Sequence, residues 1–263
     1  MKKNLALILA ILMVLCTFAS CDSTDKYVGN DSLVNNKNNH YQNSNGVDGN
    51  INGSSTGNDD KFNNHKNETL SGIEFKLNAD KKSYTLVDAT MFKEKSITID
   101  KYNGLPITII GNDSFAYSDI ENVTIGNSVI SIGDDAFYYC LYLKNVTMSN
   151  NVIDIGNFSF SNCPRLSSIN ISSNVVDMGD GVFFASDALI GHTYDNAIYL
   201  GNAKNPYLYL LSSINKDISS IEIHPQARFI GDSAFSDCYN ITNLSLPSNI
   251  IKIGKMHLKI VML

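Results

Sequence analysis

No segment of this sequence is rich in lysine or arginine, and the formal net charge is −6. Without a basic stripe to displace counterions from phosphates, nucleic acid is excluded as a partner. Catalytic signatures are missing as well: the five histidines form no H-E-x-x-H, the serines no G-x-S-x-G, and the glycines no phosphate-binding loop. No C-x-x-C or histidine cluster supplies a metal site, and the Asp59-Asp60 and Asp134-Asp135 pairs lack the oxygen-rich loop that calcium requires. The expectation is therefore a protein that is not an enzyme and holds neither cofactor nor metal. Tryptophan is absent, yet apolar residues make up 43% of the chain, enough to fill a continuous core if they are regularly spaced.

Large apolar side chains are scarce between residues 22 and 69, which hold thirteen asparagines among glycine, serine and aspartate. Such a stretch cannot bury enough surface to offset its chain entropy, so residues 21–69 are expected to form a disordered tether. A flexible coil of that length reaches about 40 Å. Ahead of it, Lys2 and Lys3, the apolar run from Leu5 to Cys16 and the small residues Ala19 and Ser20 lay out an export signal over residues 1–20. The run is shorter than the ~20 residues a helix needs to cross a bilayer. Phe18-Ala19-Ser20-Cys21 resembles the lipobox of bacterial lipoproteins. That resemblance implies that the Cys21 thiol is acylated and anchors the exported chain to the outer face of a bacterial membrane.

Beyond residue 106 one unit recurs. Ile132-Gly133-Asp134-Asp135-Ala136-Phe137-Tyr138-Tyr139-Cys140 returns as Ile155-Gly156 with Phe160 and Cys163, and as Ile230-Gly231-Asp232-Ser233-Ala234-Phe235 with Cys238. Weaker copies carry Ile110-Gly111 with Phe115, and Met178-Gly179 with Phe183. These phenylalanines are 22, 23, 23 and 52 residues apart, the last gap being one 23-residue unit plus an insertion of 29. Between them Val146 and Met148, Ile169 and Ile171, and Leu244 and Leu246 alternate with polar residues, the period of a strand with one buried face. Each unit thus predicts a short strand and a turn or short helical piece around Ala-Phe, and only stacked units can share one core. The expected fold is mainly β with short helical turns, a solenoid of 23-residue units over 107–254 with an irregular insertion at about 190–220. Within the insertion, the segments from Tyr194 to Gly201 and from Tyr207 to Leu210 read as two strands joined by an Asn/Pro turn.

The unit I-G-x-x-A-F-x-x-C-x-x-L-x-x-I-x-I resembles the BspA-type leucine-rich repeat of bacterial surface proteins. The resemblance implies that residues 70–106 form a β-rich opening cap. It also implies an adhesin-like role, in which the array binds an extracellular protein or glycan. Outward strand positions repeatedly take small polar residues, namely Asn122 and Thr124, Asn145 and Thr147, Ser168 and Asn170, Asn243 and Ser245, which stacked would form a polar ladder. Asn145, Thr147, Ser168 and Asn170 are candidate ligand contacts, with Tyr138, Tyr139 and Tyr142 beside them, because tyrosine offers large contact area at low entropy cost. Tyr199, Tyr207 and Tyr209 form a second aromatic group of candidate contacts, with core or edge packing as the alternative for each tyrosine.

Cys140, Cys163 and Cys238 occupy equivalent places that Ser118 and Ser186 fill in other copies, so the place suits a small, partly polar core residue. A Cys140 to Cys163 bridge between adjacent rungs is sterically conceivable but not favoured. Ser233 has Asp135 and Phe158 as its counterparts and marks a variable turn position rather than a nucleophile. After Ile253-Gly254 the unit demands Ala, Phe and Cys, but residues 255–263 supply none of them. With synonymous codons chosen for that tail, a one-base shift of frame places Ala, Phe and Cys at 257, 258 and 261. The tail reads as a frameshift that truncated a longer repeat protein, which makes a non-functional fragment the alternative to a binding function.

Overall fold

The computed structural model describes residues 72–255. The segments read from the sequence as export signal and tether, Cys21 between them, and the tail beyond Lys255 lie outside the described residues. The described residues open with β1 (Glu74–Leu77), β2 (Tyr84–Asp88), β3 (Ser96–Ile99), β4 (Lys101–Tyr102) and β5 (Leu105–Ile110). Strands of the two sheets then alternate as β6 (Asn122–Ile125), β7 (Ser131–Ile132), β8 (Asn145–Met148), β9 (Asp154–Ile155), β10 (Ser168–Ile169) and β11 (Asp177–Met178). The insertion contributes β12 (His192–Tyr194), β13 (Ala197–Leu200) and β14 (Tyr209–Ser213), after which come β15 (Ser220–Glu222), β16 (Phe229–Ile230), β17 (Asn243–Ser245) and β18 (Lys252–Ile253).

Repeat spacing becomes strand register. β3, β6, β8 and β10 form one parallel sheet in which Val123 pairs with Val146 and Val146 with Ile169. β5, β7, β9 and β11 form a second, in which Ile132 pairs with Ile155 and Ile155 with Met178. The inward residues of both sheets are buried, and between them the phenylalanines stack face to face. Ring centroids are 4.9 Å apart for Phe115 and Phe137, 5.1 Å for Phe137 and Phe160, and 6.0 Å for Phe160 and Phe183. One unit alone would leave each ring half in water, whereas its neighbours above and below dehydrate both faces.

The segment around Ala-Phe is a turn, and no helix occurs among the described residues. Left-handed residues recur two places after the repeat glycine and two places after the phenylalanine, as at Asp135 (φ 54) and Tyr139 (φ 58). They break the run of right-handed dihedrals a helix needs, so backbone N–H groups bond the next rung instead of the carbonyl four residues back. Phe115 donates to the Ala136 carbonyl at 2.7 Å and Phe137 to that of Ser159 at 2.8 Å. The rungs also approach closely at the repeat glycine. A Cβ on Gly156 would lie 2.5 Å from the Asp134 backbone nitrogen, which explains why this place is glycine although its φ is ordinary.

The insertion holds three antiparallel strands rather than two. β12 and β13 meet at the Asp195-Asn196 turn, with Tyr194 opposite Ala197, and β13 pairs in turn with β14. β14 then rejoins the parallel register through Tyr209 opposite Phe229. The predicted polar ladder is consequently broken: Asn243 and Ser245 on β17 pair with β15 in a separate two-stranded sheet.

Candidate functional site

The outward face of β3, β6, β8 and β10 carries most of the contact residues expected from sequence. Asn145 Nδ2 donates to Asn122 Oδ1 at 2.8 Å, and Asn122 Nδ2 to Ser96 Oγ at 3.2 Å, so one polar row is a bonded amide and hydroxyl ladder. Thr147 and Ser168 are exposed on the same face. Asn170 turns inward along the backbone instead. Its Oδ1 accepts the Met148 N–H at 2.8 Å and its Nδ2 donates to the Met148 carbonyl at 2.7 Å, closing the end of β8. At the margin of this face the Tyr142 ring lies between Lys95 Nζ, 5.5 Å from its centroid, and the Arg165 guanidinium at 5.0 Å. Lys144 Nζ pairs with Glu121 Oε2 at 2.7 Å. That hydrogen bond, helped by the charges of Lys144, Lys95 and Arg165, holds the Glu121 carboxyl below its ordinary range.

Tyr138 and Tyr139 are placed apart from this margin, on the turns, where they meet Tyr117. Ring centroids are 5.6 Å from Tyr117 to Tyr138 and 5.3 Å to Tyr139. Tyr117 is 67% exposed and was not legible as a contact candidate, although it fills the same left-handed place (φ 61) as Tyr139 in the neighbouring rung.

The second aromatic group divides. Tyr209 is core, its ring set edge-on against Phe183 at 5.2 Å, where it terminates the phenylalanine stack. Tyr207 instead stacks on His224 at 3.8 Å, with Tyr194 edge-on to the same imidazole at 4.6 Å. Tyr199 Oη accepts the His224 backbone N–H at 3.1 Å, and burial pushes its phenol up to about 12. Burial also lowers the His224 imidazole below its ordinary value, against an opposing pull from Glu222. Nothing in the repeat pattern pointed to His224, which lies in the unit that follows the insertion.

The three repeat cysteines are buried free thiols. Cys140 Sγ donates to the Phe115 carbonyl at 3.0 Å and Cys163 Sγ to the Phe137 carbonyl at 3.2 Å, just as Ser186 Oγ donates to the Phe160 carbonyl at 2.8 Å. Serine and cysteine therefore interchange because both supply a short X–H donor to the preceding rung. Burial pushes the Cys140 thiol up to about 11 and raises that of Cys163 further, so neither is ionised at neutral pH. Ser233 is a left-handed turn residue (φ 58) whose N–H donates to the Lys255 carbonyl at 3.1 Å. Among the described residues no helix is long and apolar enough to cross a membrane.

Known proteins share this unit. A family model described as the BspA type leucine rich repeat region matches residues 108–201 and 209–259, in six copies. A leucine-rich repeat protein of Bacteroides capillosus is 33% identical over 45% of this chain and 90% of its own, with a TM-score of 0.40. The T. pallidum leucine rich repeat protein is 16% identical over 70% of this chain and 83% of its own, at 0.46. The pneumococcal vaccine antigen PcpA is 21% identical over 64% of this chain and 51% of its own, at 0.35. No curated protein is similar enough to match. With its 23-residue register, its phenylalanine stack and a family match over more than half its length, the chain belongs to the BspA-type leucine-rich repeat family.

Proposed function

We propose that this chain is an exported protein, lipid-anchored through Cys21 at the cell surface, whose repeat array binds an extracellular protein or glycan. The observation that carries the reading is the outward face of β3, β6, β8 and β10. Short hydroxyl and amide side chains stand there in register, beside a tyrosine held between two cations. Such a face offers hydrogen-bonding groups at a fixed strand spacing of about 4.8 Å with little side-chain entropy to lose. The lipobox-like Phe18-Ala19-Ser20-Cys21 supports the anchor.

Two measurements test this. Fatty-acid labelling in a bacterial host should mark the wild type and not Cys21→Ala. The purified chain, screened against matrix proteins and a glycan array, should capture a ligand that Thr147→Arg and Tyr142→Ala weaken by about tenfold or more, the scale of a lost central contact. Capture that both variants retain in full places the ligand elsewhere and ends this reading of the face.

A further inference from the structure

The second parallel sheet has an outward surface of its own, with a different chemistry. Across β7, β9 and β11 runs an open groove of about 350 Å³ lined by Asn112, Ser131, Asp134, Asp154 and Asp177, with Lys252 at one end. Lys252 is already engaged, its Nζ 3.1 Å from Asp180. Asp134 Oδ1 accepts the Asn157 N–H at 2.6 Å, and Asp154 Oδ2 accepts Ser131 Oγ–H at 2.9 Å. Neither Asp154 nor Asp177 has an ion-pair partner among the described residues.

These two carboxylates are direct register partners: Asp177 on β11 stands opposite Asp154 on β9. Like charges directly opposite on a ladder oppose folding. The fold does not require them, since the same place is isoleucine at Ile109 and serine at Ser131. One residue earlier in each rung an aliphatic side chain is left in water: Ile130 is 43% exposed, Ile153 41% and Val176 56%. They form a continuous stripe, because Ile153 N–H donates to the Ile130 carbonyl and Val176 N–H to that of Ile153, each at 2.9 Å. Scattered exposed aliphatics are ordinary, whereas these three are aligned from rung to rung, and each directly precedes in the chain a residue that lines the groove, Ser131, Asp154 or Asp177.

We propose that this groove docks an extended, arginine-bearing segment of another protein. Adjacent rungs are about 4.8 Å apart, so a planar guanidinium can donate to Asp154 and Asp177 together and remove their mutual repulsion. Aliphatic side chains of the same segment then cover Ile130, Ile153 and Val176. Basic charge on the partner complements the carboxylates, and lysine fits less well because it is a point charge rather than a fork. This surface is distinct from the outward face of β3 to β10, and each assignment stands or falls alone.

The test titrates the full chain into a fluorescein-labelled synthetic peptide of alternating arginine and valine, read by anisotropy, with lysine, serine or glutamate replacing arginine as comparisons. The arginine peptide should bind best and weaken as salt rises. Asp154→Asn with Asp177→Asn should weaken it about tenfold or more while the melting temperature stays level or increases. Asp177→Lys, at a side chain with no ion-pair partner among the described residues, should abolish arginine-peptide binding and admit the glutamate peptide. Failure of the arginine peptide to bind, equal binding of the serine peptide, or wild-type affinity in Asp177→Lys would each overturn the proposal.

Discussion

In the rungs between Asn122 and Met178, each side chain is placed by its counterpart one unit away: phenylalanine stacks on phenylalanine, and thiol or hydroxyl bonds the carbonyl of the rung before. In the hairpins β12 to β14 the contacts are of another kind. Tyr207 stacks on a histidine, and Tyr199 binds a backbone N–H 25 residues away. The first region holds apolar and weakly polar groups in a dry, periodic core, while the second sets titratable and aromatic groups, the half-buried Tyr194, Tyr207 and His224, around a buried Tyr199 at an irregular margin. Periodicity fixes a residue's place and thereby commits it to structure; release from the period leaves side chains open to solvent and to pH.

The largest expected break in this contrast comes from the stack. Phe160→Ala removes a ring packed on both faces and should destabilise the array by ~3–5 kcal/mol in a denaturant titration. Next, Tyr199→Phe leaves the His224 backbone N–H without its acceptor and should cost ~1–3 kcal/mol. In hydrogen exchange that loss should be confined to the hairpins and the strands after them. Cys163→Ser keeps an X–H donor toward the Phe137 carbonyl, so its cost should stay under ~1.5 kcal/mol, as for a single neutral hydrogen bond. A cost above that of Phe160→Ala would break the equivalence of the serine and cysteine places. Ser159→Ala should have the opposite sign: the Ser159 hydroxyl is buried with no partner where two other copies carry Ala136 and Ala234, and its removal should stabilise by about 1 kcal/mol. The mildest contrast is in acid. Because burial depresses His224 below its unfolded value of 6.5, its contribution is present above that pH and fades as pH falls from there through the lowered folded value. Protection from exchange near Tyr207 and His224, taken relative to the intrinsic rate at each pH, should therefore fall below about pH 6.5, while the Phe137 rung, which contains no histidine, keeps its protection.

The regular region was legible because its information is repeated. Any single Ile-Gly or Ala-Phe pair is uninformative, but the same order recurring at 23-residue spacing fixes register, core and the serine or cysteine place together. Of the two readings of the segment around Ala-Phe, a turn or a short helical piece, the turn is the one found; left-handed Tyr139 and Phe158 gave no sign of it, since tyrosine and phenylalanine seldom adopt that conformation. β12 escaped notice because His192 and Thr193 show no apolar alternation; its pairing with Ile198 and Tyr199 holds it in place. Of the contact candidates, Thr147 and Ser168 fell on the exposed face, whereas Asn170 turned back onto Met148 and Tyr209 entered the core. Asp154 and Asp177 lie 23 residues apart in the chain, and only pairing in the sheet makes them neighbours.

The place where the hairpins displace a rung also has a mechanical meaning. The ladder of β5, β7 and β9 ends at β11, and a new one begins with β12 to β14 and continues through β16 and β18. Apolar packing continues across the step, with Phe183 against Tyr209, but strand pairing does not, and the polar links there are isolated ones such as Arg228 Nη1 to the Ser173 carbonyl at 3.0 Å, Asn202 Nδ2 to the Ile171 carbonyl at 2.6 Å and the Lys252–Asp180 pair at 3.1 Å. A stack of rungs pulled from its ends carries the load in series, and each rung resists only through its neighbours. Under tension the step should part first, releasing β14 to β18 while the rungs around Phe137 hold, so that the molecule lengthens in two stages instead of failing all at once.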